Sequence, residues 1–204
     1  MSDYARWAEI AQEIAMEAGE LLRQRYGATH TIQQKGFRDI VTDVDLEVEA
    51  LIVARLRATF PQHAIVTEEG EGPSDAATTQ APVRWFIDPI DGTTNFSRHN
   101  PNFSLSIAAV AAETPLEDER PVVGVIMEPL RDYCFAAYRG GGARLNGQSI
   151  HTSDITTLDR AVLGNDMPRD PARRARHLAL VTGLLTRART VRVLGSAALG
   201  MAYV

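Results

Sequence analysis

Residues 87–96 read IDPIDGTTNF: Asp88 and Asp91 stand three positions apart around Pro89 and Ile90, followed by Gly92, Thr93, Thr94, Asn95 and Phe96. Residues 83–87 form an apolar run that reads as a strand, so both acids fall where that strand ends. Pro89 fixes its own φ and biases Asp88 away from helix, which holds the first carboxylate at the strand terminus. Asp91 can curl back toward the same point. Two hard oxygen donors placed together suit Mg²⁺, which takes one or two carboxylates plus substrate phosphate and waters. Gly92 permits a close backbone approach, and a helix beginning at Thr93 would turn its N–H groups toward an anion. The same residues also satisfy a β-turn, with Asp, Pro and Gly in turn-favouring places.

Outward from this stretch, the acidic residues gather. Residues 64–66 (Ala, Ile, Val) predict a strand that delivers Thr67, Glu68 and Glu69 at its end. Asp43 and Asp45 fall in the first turn of a helix that Thr42 or Asp43 can cap, carrying Val44, Val48, Leu51, Ile52 and Leu56 and stopped by Pro61. Taken singly, such acids are explained by the helix dipole or by solvation. Jointly they call for cations, because a chain with net charge −5 that binds a phosphate monoester must offset its own repulsion.

The remaining pattern is that of one substantial α/β chain. At 204 residues, with 45% hydrophobic and 23% charged residues, it can bury a sizeable core. Its acidic balance, with a pI near 5.5, argues against nucleic acid as the main ligand. The N-terminus has no basic leader and no run approaches a membrane span, so a cytoplasmic location and no membrane partner are expected. Cys134, the only cysteine, cannot form an internal disulfide and reads as a small buried hydrophobe between Tyr133 and Phe135.

Trp7, Ile10, Ala11, Ile14, Ala15, Ala18, Leu21 and Leu22 recur at helical spacing, predicting a first helix that ends near Gly27, with Ser2 or Asp3 as cap. Residues 70–82 and the charged link at 113–120 are expected as loops. Residues 103–110, 122–127 and 133–138 predict an antiparallel meander, and Asn146-Gly147 a tight hairpin turn. The glycines at 140–142 lack the Gly-Lys-Ser/Thr ending of a phosphate loop and read as a turn. From residue 156 the pattern changes to alternating units: strand at 161–164, helix at 171–186, strand at 191–194, helix from Ser196. Residues 1–155 are therefore expected as an α+β part with an antiparallel sheet and the metal site, and 156–204 as the start of a C-terminal α/β part. The five histidines are scattered without ligand spacing, which argues against zinc or a histidine nucleophile.

KGFRDIVTDVD, VTEEG, WFIDPIDGTTNF and VLGSAA resemble, in order and spacing, the motifs of the inositol monophosphatase family, and the similarity runs over essentially the whole chain. The resemblance implies a layered αβαβα sandwich, Mg²⁺-dependent hydrolysis of small phosphate monoesters, and a homodimer when full length. It implies Glu68, Asp88 and the Ile90 carbonyl as ligands of a first metal, and Asp88 and Asp91 as ligands of a second. Gly92 and Thr93 match phosphate-binding residues, and Thr93 with Glu68 matches the pair that orients the attacking water. Asp45 matches a supporting acid, and Gly195, Ser196 and Ala197 match a segment touching the alcohol part of the substrate. Lys35 falls near a family lysine, but its spacing to Asp39 differs by one residue and it is not assigned to the site.

Thr93-Thr94-Asn95-Phe96 is closer to inositol phosphatases than to histidinol-phosphate, sugar bisphosphate or 3′-phosphoadenosine phosphatases that share the metal motif. A non-catalytic metal- or phosphate-binding role is the reading from a different class. Relatives continue beyond the counterpart of GSAALGMAYV to a Trp-Asp-x-Ala motif whose aspartate binds the second metal. No such motif follows here, so a truncated chain is expected, with an incomplete second sheet, exposed apolar surface on its last two elements and poor activity alone.

Overall fold

A computed structural model describes residues 3–36, 39–70, 81–112, 119–168 and 170–204. Ser2, most of the loop expected at 70–82 and the link at 113–118 lie outside the described residues. Helix α1 (Asp3–Arg25) turns Ala5, Ala8, Ala11, Ile14, Ala15, Ala18 and Leu22 inward. A face of alanines lets the helix lie close to a sheet. At Gly19 the fit is closest: an added Cβ would stand 3.0 Å from Met127 Cγ. A hairpin of β1 (Ile32–Gly36) and β2 (Asp39–Thr42) follows, then α2 (Asp43–Thr59). Thr42 is the N-cap of α2, and with Asp45 it forms a reciprocal capping box.

The main sheet has seven strands in sequence order: β3 (Ala64–Thr67), β4 (Val83–Asp91), β5 (Ser104–Ala112), β6 (Glu119–Glu128), β7 (Tyr133–Tyr138), β8 (Gly142–Leu145) and β9 (Gln148–Ile150). From β4 onward it is the expected antiparallel meander, but β3 pairs with β4 in parallel, so the sheet is mixed. Strand β6 also begins at Glu119, taking in the last residues of the link expected as loop. Asn146 and Gly147 have φ of 48° and 80°, the two left-handed residues that a two-residue hairpin requires.

Alternation along the strands decides which face is dry. Trp85 and Ile87, Leu105 and Ile107, Val123, Val125 and Met127, Cys134 and Ala136 pack with α1 and α2 into one core. Phe86, Asp88, Ser106 and Ala108 point to the opposite face. Burial raises the Cys134 thiol to about 11, which fits the buried-hydrophobe reading and leaves no thiolate at neutral pH.

Short helix α3 (Thr93–Ser97) joins that core through the fully buried Phe96, while α5 (Ala197–Ala202) packs on β4, β5 and β6 through the fully buried Leu199, which lies outside it. Beyond them β10 (Val162–Gly164) and β11 (Thr190–Arg192) pair in parallel, joined by crossover helix α4 (Pro171–Leu185). The elements belong to a mixed α/β fold of helix and sheet layers, and the second sheet has two strands among the described residues. Helix α4 buries none of its residues, and Leu180, Val193 and Met201 are exposed by 64%, 58% and 70%, so apolar surface does lie open on the last elements. No described helix is long and apolar enough to cross a membrane.

Candidate active site

Asp88 to Asp91 are strand and not turn; the turn comes at Gly92. Strand β4 continues through Asp91, and its pairing with β5 slips between Asp88, opposite Ser106, and Asp91, opposite Ser104. Pro89 and Ile90 on β4 thus face Leu105 alone on β5, which is a β-bulge, with Pro89 where a proline is tolerated in a sheet. In a regular strand, positions three apart point to opposite faces. The extra residue turns Asp88 and Asp91 toward the same face.

Asp88 lies at one side of a cavity of about 300 Å³ lined by Thr67, Glu68, Phe86, Ile87, Ser106 and Ala108. Glu68 follows β3 directly, and its N–H donates to the Ile87 carbonyl at 3.1 Å, extending the parallel pairing so that Glu68 arrives beside Asp88. Burial, then the charges of Glu68 and Asp91, push the Asp88 carboxyl up to about 9, and Asp88 and Glu68 share a hydrogen bond. One Asp88 oxygen, Oδ1, is buried with no partner.

Asp45, fully buried in the first turn of α2, reaches the site from below. Its Oδ2 accepts from Thr42 N at 2.8 Å and from Thr42 Oγ1 at 2.5 Å. Its Oδ1 lies 3.1 Å from Thr93 Oγ1, which is also 3.0 Å from the Ile90 carbonyl oxygen. Thr93 has one hydroxyl proton and two acceptors for it, so that proton is directed into the protein and a lone pair is left outward. Burial raises the Asp45 pKa, opposed by the bonds from Thr42 and Thr93.

Gly92 caps α3 with φ 101°, and a Cβ there would stand 3.0 Å from the Gly195 carbonyl oxygen and 3.3 Å from that of Asn102. Only glycine meets both demands. Helix α3 is five residues long, so any anion near Gly92 and Thr93 would meet individual unpaired N–H groups and not a large macrodipole.

The last segment closes on Asp91. Ser196 Oγ and Ala198 N donate to Asp91 Oδ2 at 2.6 and 2.7 Å, and Ser196 Oγ lies 3.1 Å from Ser104 Oγ. Gly195 has φ 76°, and a Cβ there would stand 2.9 Å from Asn95 Nδ2. Ala197 is exposed at the start of α5.

The structure therefore brings Glu68, Asp88, Ile90, Asp91, Gly92, Thr93, Asp45, Gly195 and Ser196 into one region. Thr93 is bonded to Asp45, while the bond of Glu68 is to Asp88. Two residues not assigned to the site from the sequence also serve it. Asn95 Nδ2 donates to the Asn102 carbonyl at 2.6 Å and the Leu194 carbonyl at 2.7 Å, tying α3 to the turn before α5. Lys35 Nζ pairs with the buried Glu69 at 2.6 Å, and Glu69 N donates to Glu49, which anchors the β1–β2 hairpin beside Glu68. The Thr42 cap was legible in the sequence; its pairing with Asp45 and the reach of Asn95 to a carbonyl 99 residues away were not.

As the side chains stand, no group of three or more His, Cys, Asp or Glu among the described residues is arranged to hold a metal ion. The donor chemistry nonetheless fits a hard divalent cation: an orphaned carboxylate oxygen on Asp88, neighbouring carboxylates on Glu68 and Asp91, and a carboxyl pKa raised by burial and by those charges.

The model of the inositol monophosphatase family matches residues 3–204. The chain is 37% identical over 198 residues to the Nus factor SuhB of Escherichia coli (strain K12), covering 96% of this chain and 71% of that protein. It is 33% identical to inositol monophosphatase 1 of Solanum lycopersicum, covering 96% and 70%. Among solved structures, the extragenic suppressor protein suhB of Bartonella henselae superposes with a TM-score of 0.85 at 31% identity, covering 96% of this chain and 73% of that one.

Proposed function

We propose, from the premise that this chain belongs to the inositol monophosphatase family, that it hydrolyses small phosphate monoesters with Mg²⁺, inositol monophosphate being the leading substrate. The family is one of phosphatases. The reading for this chain is carried by the β4 bulge, which sets Asp88 and Asp91 on one face beside Glu68 and leaves Asp88 Oδ1 without a partner.

Glu68, Asp88, Asp91 and the Ile90 carbonyl would hold the ion. When bound, it supplies charge neutralisation for the phosphate and makes water a better nucleophile at neutral pH. The rest falls to the chain. Thr93, its proton directed at Asp45 or Ile90, offers an oxygen lone pair that orients a water proton away from phosphorus. Glu68 flanks the same space. The Gly92 turn admits a phosphate oxygen to backbone N–H groups without a side chain in the way, and Gly195, Ser196 and Ala197 border the alcohol end. Positioning and fixed charge are the main demands of phosphoryl transfer, and these groups supply both. The active form is a homodimer in this reading.

Phosphate release from myo-inositol 1-phosphate, histidinol phosphate and a sugar bisphosphate, each titrated with Mg²⁺, tests the proposal. Mg²⁺-dependent release led by the inositol ester supports it; release independent of the ion overturns it. A second reading, a binding role without turnover, is favoured by the likeness to a relative named as a Nus factor. Retained binding of a phosphate monoester with no hydrolysis would select it.

A further inference from the structure

Strands β10 and β11 run parallel, with Gly164 opposite Arg192, so their carboxyl ends open on the same edge. In parallel sheets this is the edge where ligands are met. The β11 end delivers Gly195 and Ser196. The β10 end delivers Asn165 and Asp166, which no motif singles out.

Asp166 is fixed from several sides. Asn165 N donates to the Arg192 carbonyl at 2.8 Å, continuing the ladder, and Asn165 Oδ1 lies 2.5 Å from His177 Nε2 of α4. Asp166 Oδ1 accepts from Gly195 N at 3.1 Å. Its other oxygen faces Gly200 of α5, where an added Cβ would stand 3.7 Å away, at ordinary contact distance.

Asp166 is near enough to feel the charge of Asp91, and no Lys or Arg pairs with it among the described residues. A further carboxylate near Asp91 works against any anionic substrate. Such a charge is useful only where the substrate brings hydrogen-bond donors to it. Carboxylates accept such bonds strongly, and a site built to accept from a substrate hydroxyl discriminates sharply against an analogue that lacks it.

We propose that Asp166 is a specificity-determining residue that accepts a hydrogen bond from a donor group on the alcohol part of the substrate, selecting phosphate esters of donor-rich alcohols over plain alkyl phosphates. The proposal rests on the phosphatase reading and narrows it to a substrate class. A polyol hydroxyl and an ammonium group are two sources of the same chemistry.

The test compares kcat/KM for myo-inositol 1-phosphate, O-phosphoethanolamine and propyl phosphate in the wild type, Asp166→Asn and Asp166→Ala. The expected result is a fall of at least about tenfold in Asp166→Ala in the ratio of a donor-bearing ester to propyl phosphate, appearing mainly in KM. Asp166→Asn, whose carbonyl oxygen still accepts, recovers part of it for the inositol ester. A fall confined to the inositol ester identifies hydroxyl recognition, and one confined to phosphoethanolamine identifies ammonium recognition. Equal losses on all three esters, or an unchanged ratio, overturn the role of Asp166 and leave the phosphatase reading standing. No release from any ester by the wild type overturns both.

Discussion

Ser196 Oγ donates to Asp91 Oδ2 at 2.6 Å, joining residues 105 positions apart and linking the last helix of the chain to the bulged strand at its centre. Ala198 N shares the same oxygen at 2.7 Å. Both bonds fall on Oδ2, which fixes the orientation of the carboxylate as a whole. Partners of this kind, one bond removed from an ion, typically govern ion affinity by about 10–100-fold. Ser196→Ala is therefore expected to raise the Mg²⁺ concentration for half-maximal phosphate release by about tenfold. Ser196→Thr, which keeps the hydroxyl, is expected to stay near the wild type. A Mg²⁺ titration of initial rates for the three proteins checks it.

Gly92 and Gly195 each combine a positive φ with a close neighbour. Gly92 has φ 101° and its missing Cβ would press on the Gly195 carbonyl, while Gly195 has φ 76° and its missing Cβ would press on the Asn95 amide. Alanine at either position takes on backbone strain of about 1–3 kcal/mol before any steric displacement. Each variant should melt several degrees below the wild type and lose turnover, because the displaced group carries the site. Thermal unfolding read beside kinetics is the check; an alanine variant with wild-type melting would show that the turn relaxes freely.

His63 gives the fold an acid-side sensitivity. Its ring stacks on Phe60, with centroids 4.9 Å apart, and lies 5.0 Å from Trp7, while Trp85 Nε1 donates to its Nδ1 at 3.0 Å. Burial lowers its pKa below the ordinary 6.5, so the folded protein prefers the neutral ring. The unfolded chain then binds more protons as pH falls, and stability is lost. The contribution is whole above about pH 6.5 and declines from there down through the folded pKa. The melting temperature of the wild type should fall between pH 6.5 and 5 more steeply than that of His63→Gln, which has no proton to gain. Equal slopes would remove His63 as the cause.

The sequence exposes what burial periodicity writes into it. Helix α1 was legible from apolar residues three and four apart, the α2 cap from Thr42 or Asp43, of which the structure uses Thr42, and the tight turn from Asn146-Gly147, because each signal lies within a few residues. The β1–β2 hairpin was not, since β1 is exposed at every position and shows no alternation. The bulge was read as a turn because Asp, Pro and Gly serve both; only pairing with Ser104 and Ser106 distinguishes them. Parallel pairing of β3 with β4 carries no local mark either. At the site, Asp88 and Asp91 were found through one contiguous stretch, whereas Asn95, Lys35 and Asp166 reach partners 99, 34 and 29 residues away, where spacing gives no signal.

In the proposed function, the β4 bulge makes Asp88 an ion-dependent catalytic carboxylate, with Thr93 aligning the water. The most direct measurement is phosphate release from myo-inositol 1-phosphate against Mg²⁺ for the wild type, Asp88→Asn and Thr93→Ala, with melting temperatures taken with and without the ion. The account predicts Mg²⁺-dependent release by the wild type and a fall of about 10²-fold or more in kcat for both variants. It also predicts a Mg²⁺-induced rise in melting temperature that Asp88→Asn loses and Thr93→Ala keeps. Undiminished release by Asp88→Asn, or the same Mg²⁺ stabilisation in it as in the wild type, would contradict the account.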